Sequence, residues 1–238
     1  MAYDPVRAVQ VSVRRGSKFL RRKGVVAEFD DERQHLEGEK RDRFFDKGIK
    51  QVEGLAENIE AYTGRNLDGR TVLDYGCGVG RLVIPLSRRC EHVFGVDINP
   101  ALLAAGERYA AEESVTNVDW LLIDRLPELS GRYDAVLSYW VFQHIPPREG
   151  EEIFAELLRG LRPDGVGAIH FTVPPRYSMR ELVGRVDLWY QLMNSYSLNR
   201  LGRVLAQQGI TEWHLRWHAP KKDYQSVTIF FHKDDDRS

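Results

Sequence analysis

Apolar positions set the rhythm of this chain. Phe45, Ile49, Val52, Ala56 and Ile59 recur at steps of three and four, which predicts an amphipathic helix starting at Phe44. Gly64 and the polar run to Gly69 end it. Thr71 to Tyr75 then reads as a first strand, followed by glycines and a helical segment from Arg81 to Arg89. His92 to Val96 reads as a second strand. Asn99-Pro100 marks the start of the next helix, because Asn caps free N–H groups and Pro suits the first helical position. That helix should reach about Glu113. Val118 to Ile123 and Tyr133 to Ser138 are the third and fourth strands. Ile153, Phe154, Leu157, Leu158 and Leu161 form one apolar helical face. Pro163-Asp164-Gly165 turns the chain into a fifth strand, Val166 to Val173.

Strands separated by helices of ten or more residues need crossover connections, so the sheet core should be parallel with helices on both faces. The C-terminus breaks the rhythm. After a helix around Leu198 to Gln208, the strand-like runs Thr211 to Trp217 and Ser226 to His232 are joined by the short polar loop Ala219 to Asp223. So short a loop permits only a hairpin. The expected fold class is α/β: a three-layer, seven-stranded, mostly parallel sheet with an antiparallel C-terminal hairpin strand. Residues 1–43 read as a charged N-terminal arm, of which 28–43 form a linker or an exposed helix. Residues 44–238 read as one domain with an insertion at about 174–196.

Composition narrows the function classes. Of 238 residues, 42% are hydrophobic and 29% charged, as in soluble globular proteins. The formal net charge of -1 gives no global drive toward nucleic acid or an anionic membrane. Arg7, Arg14, Arg15, Lys18, Arg21, Arg22 and Lys23 make the first segment locally basic, which reads as a solvated arm. Cys77 and Cys90 form no CxxC and no Cys/His cluster, so no metal site is expected. Two isolated cysteines, no long apolar run and no secretory signal point to a cytoplasmic protein without a membrane partner.

The chemistry concentrates in Val72-Leu73-Asp74-Tyr75-Gly76-Cys77-Gly78-Val79-Gly80-Arg81. Gly76, Gly78 and Gly80 follow a strand and open a helix, where backbone can approach a ligand and N–H donors are free. Asp97 ends the second strand about 20 residues beyond the first glycine, at the spacing of a ribose-binding carboxylate. It could also merely cap the next helix. Asp74, just before the glycines, would repel a pyrophosphate. It suits a ligand with an ammonium group and a sulfonium, as in S-adenosylmethionine. Cys77 reads as a buried filler, and Pro85 should bend its helix or lie in the first turn.

This run resembles the glycine-rich motif of class I S-adenosylmethionine-dependent methyltransferases, which have a Rossmann-like sheet. Gly95-Val96-Asp97-Ile98 resembles their acidic loop, Tyr133 to Ser138 their fourth strand, and Leu161-Arg162-Pro163-Asp164-Gly165-Val166 the turn into their fifth. The terminal hairpin resembles the one that supplies their antiparallel strand. The resemblance covers roughly residues 45–232. It implies that Gly76, Gly78 and Gly80 line the methionine part of the cofactor and Asp74 holds its ammonium group. It implies Asp97 on the ribose, Ile98 on one adenine face, Asp124 on the adenine amino group, and backbone of Ser138 near the reacting methyl. The demethylated product would be S-adenosylhomocysteine.

The acceptor should sit beyond the C-terminal ends of the strands. Tyr139, Trp140, Gln143 and His144 follow the fourth strand directly; Trp189, Tyr190 and Tyr196 lie in the insertion; Phe44 could form the opposite wall. His144 is the candidate general base, needed only for a hydroxyl or protonated amine, with His170 second. A loop-positioning histidine is the competing reading of His144. No Asn-Pro-Pro-aromatic motif follows the fourth strand, so a small metabolite is the expected acceptor rather than nucleic acid. A nicotinamide-dependent oxidoreductase would share the glycines and Asp97, but neither Asp74 nor the hairpin suits it. A non-catalytic binding protein of the same fold is the other alternative.

Overall fold

The computed structural model describes residues 33–174, 193–218 and 225–234. The basic run from Arg7 to Lys23, Trp189, Tyr190 and the hairpin loop lie outside these residues. The described elements are α1 (Gly38–Thr63), β1 (Thr71–Tyr75), α2 (Val83–Ser87), β2 (His92–Asp97), α3 (Pro100–Glu112) and β3 (Val118–Leu122). A 3-10 helix (Ile123–Leu129) leads to β4 (Tyr133–Ser138), and a second one (Phe142–His144) to α4 (Pro147–Gly160). Then come β5 (Leu161–Val173), α5 (Leu198–Gln207), β6 (Trp213–Trp217) and β7 (Gln225–His232).

The strands form one seven-stranded sheet in the order β3-β2-β1-β4-β5-β7-β6. β3 through β5 are parallel to one another, while β7 runs antiparallel to both β5 and β6. The expected α/β sheet with a reversed C-terminal strand is therefore present. β1 carries buried residues on both faces, as a central parallel strand must. On one face Val52, Leu55 and Ile59 of α1, Leu82, Val83 and Leu86 around α2, and Leu103 of α3 pack on Val72, Val93, Leu137 and Ala168. On the other, Phe154, Leu157 and Leu158 of α4 and Leu201 and Leu205 of α5 pack on Leu73, Val136, Ile169, Phe171 and Ile229. The chain changes sides between β1 and β4, the switch point where ligands enter open α/β sheets.

Three boundaries differ from the periodicity. α1 begins at Gly38, inside the stretch expected to be an arm. Residues 38–43 contain no apolar side chain, so hydrophobic spacing cannot reveal them. Arg41 anchors them, pairing with Glu112 and Glu113 and lying over the Tyr109 ring at 5.3 Å. α2 spans five residues instead of nine, and Pro85 falls in its first turn, where its missing N–H costs nothing. β5 starts at Leu161, before the Pro-Asp-Gly turn: Tyr133 pairs with Leu161 and Ala135 with Val166, so an irregularity absorbs the turn.

Tyr196 was expected to line the acceptor pocket. Its ring is instead fully buried, and its hydroxyl is shared between the carbonyls of Ile145 at 2.7 Å and Phe142 at 3.0 Å. It pins the loop after β4 to the chain returning from β5. Tyr196→Phe removes this donor from the Ile145 carbonyl and leaves the Phe142 carbonyl only the Ile145 N–H, and should lower stability by about 1–3 kcal/mol. A urea midpoint that falls with unchanged slope would show it.

Candidate functional site

β1 ends in a turn whose glycines all take left-handed φ: +76° at Gly76, +56° at Gly78 and +85° at Gly80. Two are packed. A Cβ on Gly76 would stand 2.3 Å from a Val141 methyl, and one on Gly80 2.4 Å from the Trp120 ring. A Cβ on Gly78 would meet nothing within 4 Å, so the loop is braced at both ends and open in the middle. Gly76 and Cys77 donate their N–H groups to the Val96 carbonyl at 2.7 and 3.1 Å, which ties the loop to β2. Cys77 is buried, and burial pushes its thiol well above its ordinary range, as suits a filler and not a nucleophile.

Asp97 closes the loop from the β2 side. One carboxylate oxygen accepts the Gly78 N–H at 2.8 Å and the other the Asn99 N–H at 2.9 Å. The helix cap belongs to Asn99, whose side chain accepts the Ala101 N–H at 3.0 Å. Asp97 thus ties the glycine turn to the start of α3 without itself capping the helix. Ile98 is half-buried next to it, and Asp124 is exposed at the start of the 3-10 helix after β3.

Asp74 is 2% exposed, and burial raises its pKa to about 7, opposed by the Arg81 cation and reinforced by the Asp97 charge. Arg81 was not singled out by the sequence. It leaves the loop with its guanidinium 5.8 Å over the Phe44 ring, and no hydrogen bond or ion pair engages it among the described residues. A Cβ on Gly48 would strike the Arg81 carbonyl at 2.1 Å, so α1 crosses directly over this point. Val141, Trp120 and Gly48 likewise became visible only when distant segments met. Trp120 could be read as core from its strand, but nothing in the spacing pairs it with Gly80.

The rim after β4 is held tightly. Ser138 is fully buried and donates its hydroxyl to the Tyr75 carbonyl at 2.9 Å, joining the ends of β4 and β1. Tyr139 and Trp140 are half-buried, and Trp140 takes a left-handed φ of +64°, costing about 1–3 kcal/mol of backbone strain. Gln143 was expected to meet the acceptor. Its side chain is instead buried and clamps the loop, donating to the Trp140 carbonyl at 2.8 Å and standing 3.2 Å from His144 Nε2. His144 is half-buried in the second 3-10 helix. His170 lies against the rings of Trp140 and Tyr139, at 4.5 and 4.8 Å. Burial, helped by His218, lowers its pKa to about 3, which leaves it neutral and a poor base. The structure thus gathers Asp74, the glycines, Asp97, Ser138, Tyr139 and Trp140 at one rim, with His144 four residues beyond Trp140. Among the described residues no cluster of three or more His, Cys, Asp or Glu could hold a metal, and no helix is long and apolar enough to cross a membrane.

Residues 72–165 match a family model described as a methyltransferase domain. The chain is 37% identical over 101 residues to a ubiquinone biosynthesis O-methyltransferase of Acinetobacter baumannii, a stretch covering 41% of this chain and 43% of that protein. It is 34% identical over 93 residues to a magnesium-protoporphyrin O-methyltransferase of Synechocystis, covering 39% and 40%. The match thus spans less than half the length of these curated relatives. In structure the chain resembles magnesium protoporphyrin IX methyltransferase from Synechocystis, solved with bound SAH, at TM-score 0.65 and 21% identity over 88% of this chain and 95% of that one. It also resembles a [4+2]-cyclase at TM-score 0.60 and 16% identity, over 77% and 81%. These likenesses fix the fold.

The buried Asp74 makes the site titrate. Folded, it keeps its proton to about pH 7; its ordinary pKa is 3.8. Between those values the folded chain binds the extra proton, so this group's contribution to stability falls as pH rises through that window and is flat above it. Asp74→Asn should match the parent near pH 4 and exceed it above pH 7, by on the order of 2–4 kcal/mol. Urea midpoints across that range measure the difference.

Proposed function

We propose that this protein is a class I S-adenosylmethionine-dependent methyltransferase and transfers a methyl group to an oxygen or nitrogen atom of a small-molecule acceptor. The observation that carries the reading is the pairing of two carboxylates, Asp74 and Asp97, with a glycine turn that is open at Gly78. Such a turn suits a nucleoside without phosphates. The names of the two relatives support an oxygen acceptor first.

The residues present fit this ligand. The free space over Gly78 admits the methionine chain, with Gly76 and Gly80 shaping its ends. The buried Asp74 receives the ammonium group, and the Arg81 cation at the loop exit receives the carboxylate. Asp97, already oriented by two N–H donors, takes the ribose hydroxyls. Ile98 covers one adenine face, Asp124 takes the adenine amino group, and the Ser138 backbone borders the methyl.

When bound, S-adenosylmethionine supplies a methyl on a cationic sulfur: the S–C bond breaks with its electron pair left on sulfur, the acceptor lone pair forms the new bond to carbon, and the acceptor's proton departs. Because the donor is already activated, the protein's main contribution is to hold the acceptor in line, with Tyr139 and Trp140 as its border. Aromatic faces beside a sulfonium also favour the cation. A hydroxyl acceptor needs a proton sink, and His144 is the residue of the rim placed to serve. The Gln143 amide lies 3.2 Å from His144 Nε2, so it must turn aside before that nitrogen takes a proton.

Calorimetric titration with S-adenosylhomocysteine tests the reading. Binding is expected in the parent, and Asp97→Asn should weaken it by about tenfold or more, the loss of a charge-assisted contact. Because an ammonium partner returns Asp74 to its ionised form, binding near pH 6 should release close to one proton, and Asp74→Asn should abolish that release. A parent protein that binds neither S-adenosylmethionine nor its product would end the proposal. Binding without product formation across a broad acceptor panel would leave only the non-catalytic alternative.

A further inference from the structure

β5, β7 and β6 run past the end of β4. Ser138 closes β4 opposite Ile169, yet β5 continues to Val173, paired with β7 as far as Gln225. Alternation divides this overhang into two faces. Phe171, Val173, Val227 and Ile229 point into the apolar layer under α4 and α5. The opposite face carries His170 and Thr172, with Thr228 and Ser226 directly across from them. His218 adds to it, its Nε2 standing 2.8 Å from Thr228 Oγ1. Deeper in the sheet the same face is apolar, with Val166, Ala168 and Phe230. On β5 and β7, buried polarity therefore appears on this face only, and only beyond the rim where ligands of this fold class bind.

These polar groups are buried and partly unsatisfied. His170, Thr172, Ser226 and Thr228 are each at most 3% exposed. Neither ring nitrogen of His170 nor Oγ1 of Thr172 has a hydrogen-bond partner among the described residues. Phe and Val would fill the same volumes without that penalty, so packing does not explain the choice. The rings of Trp140 and Tyr139, half-buried, lie on His170, and Trp140 is held there by a strained backbone.

Resting on the methyltransferase reading above, we infer that this overhang is the acceptor's binding face and takes an uncharged, flat acceptor that presents a phenol-type hydroxyl. A neutral imidazole offers one donor and one acceptor, and a threonine hydroxyl offers both. Their common complement is a hydroxyl that can give and receive. The flanking rings select a planar body by stacking. This face also carries Arg216, directly across from Thr228 on β6, but Arg216 is exposed, so the buried groups His170, Thr172, Ser226 and Thr228 offer a carboxylate or an ammonium no buried charge to repay its desolvation.

The test uses the full chain saturated with S-adenosylhomocysteine, with catechol as probe and 1,2-dimethoxybenzene as the hydroxyl-free control. Calorimetry should show catechol binding at least about tenfold tighter than the control. His170→Phe and Thr172→Val should each weaken catechol by about tenfold, leave S-adenosylhomocysteine affinity unchanged, and keep or raise the urea midpoint without ligand. Catechol that fails to bind the loaded protein, or that binds both variants as it binds the parent, overturns the inference. Raised midpoints with unchanged catechol binding would mark His170 and Thr172 as core defects and nothing more. If S-adenosylhomocysteine itself does not bind, the methyltransferase reading falls first and takes this one with it. If it binds and catechol does not, only the acceptor assignment fails.

Discussion

One carboxylate bridges the two halves of the site. Asp97 accepts the Gly78 N–H with one oxygen and the Asn99 N–H with the other, so the end of β2, the start of α3 and the turn after β1 become one unit. The Val96 carbonyl adds two more bonds from Gly76 and Cys77. A turn with three left-handed glycines has little conformational preference of its own. Its shape comes from these bonds and from Val141 and Trp120, which close on either end. A ligand meeting such a turn does not bear the entropy of ordering it, which is how a short loop can contribute affinity.

The site keeps ionisable groups that a folding core would shed. Asp74 is buried deeply enough to hold its proton near neutral pH, and Arg81 emerges close by under α1. Buried ionisable groups are tolerated where a partner arrives to balance them. A zwitterion answers both at once. Against pyrophosphate the acids would be a liability, because the Asp97 carboxylate would face a dianion and Asp74 could not ionise beside it. Electrostatics thus separate this glycine turn from dinucleotide-binding turns of similar spacing more sharply than backbone geometry does.

The rim beyond β4 shows a related compromise. Trp140 adopts a backbone conformation that L-residues avoid, and Gln143 and Tyr196 are committed to holding the loop that carries it. On the β5 overhang, His170 and Thr172 occupy buried positions without a side-chain hydrogen-bond partner among the described residues. Strain and unmet hydrogen bonds lie side by side, within one ring contact of each other. Both costs fall at the rim beyond β4, while the packed layers under α1 and α4 supply stability that tolerates them.

Sequence by itself determined the order of strands and helices, the reversal at the C-terminus and the glycine turn between its acids. Each depends on local chemistry: alternation, glycine backbone freedom, an Asn-Pro start, a loop too short for a crossover. The extra first turns of α1 escaped it, because a helix held by ion pairs to α3 leaves no apolar period. Side-chain assignments at the rim were decided by tertiary structure alone. Tyr196 and Gln143 had the composition of pocket residues, yet the carbonyls that claim their polar atoms come from folding of the loop after β4. Arg81, Trp120 and the polar overhang acquired their surroundings only when segments roughly 30 to 60 residues apart closed on one another. Hydrogen-bond partners, burial and charge environment are properties of juxtaposition, and a linear pattern contains the candidates without the pairings.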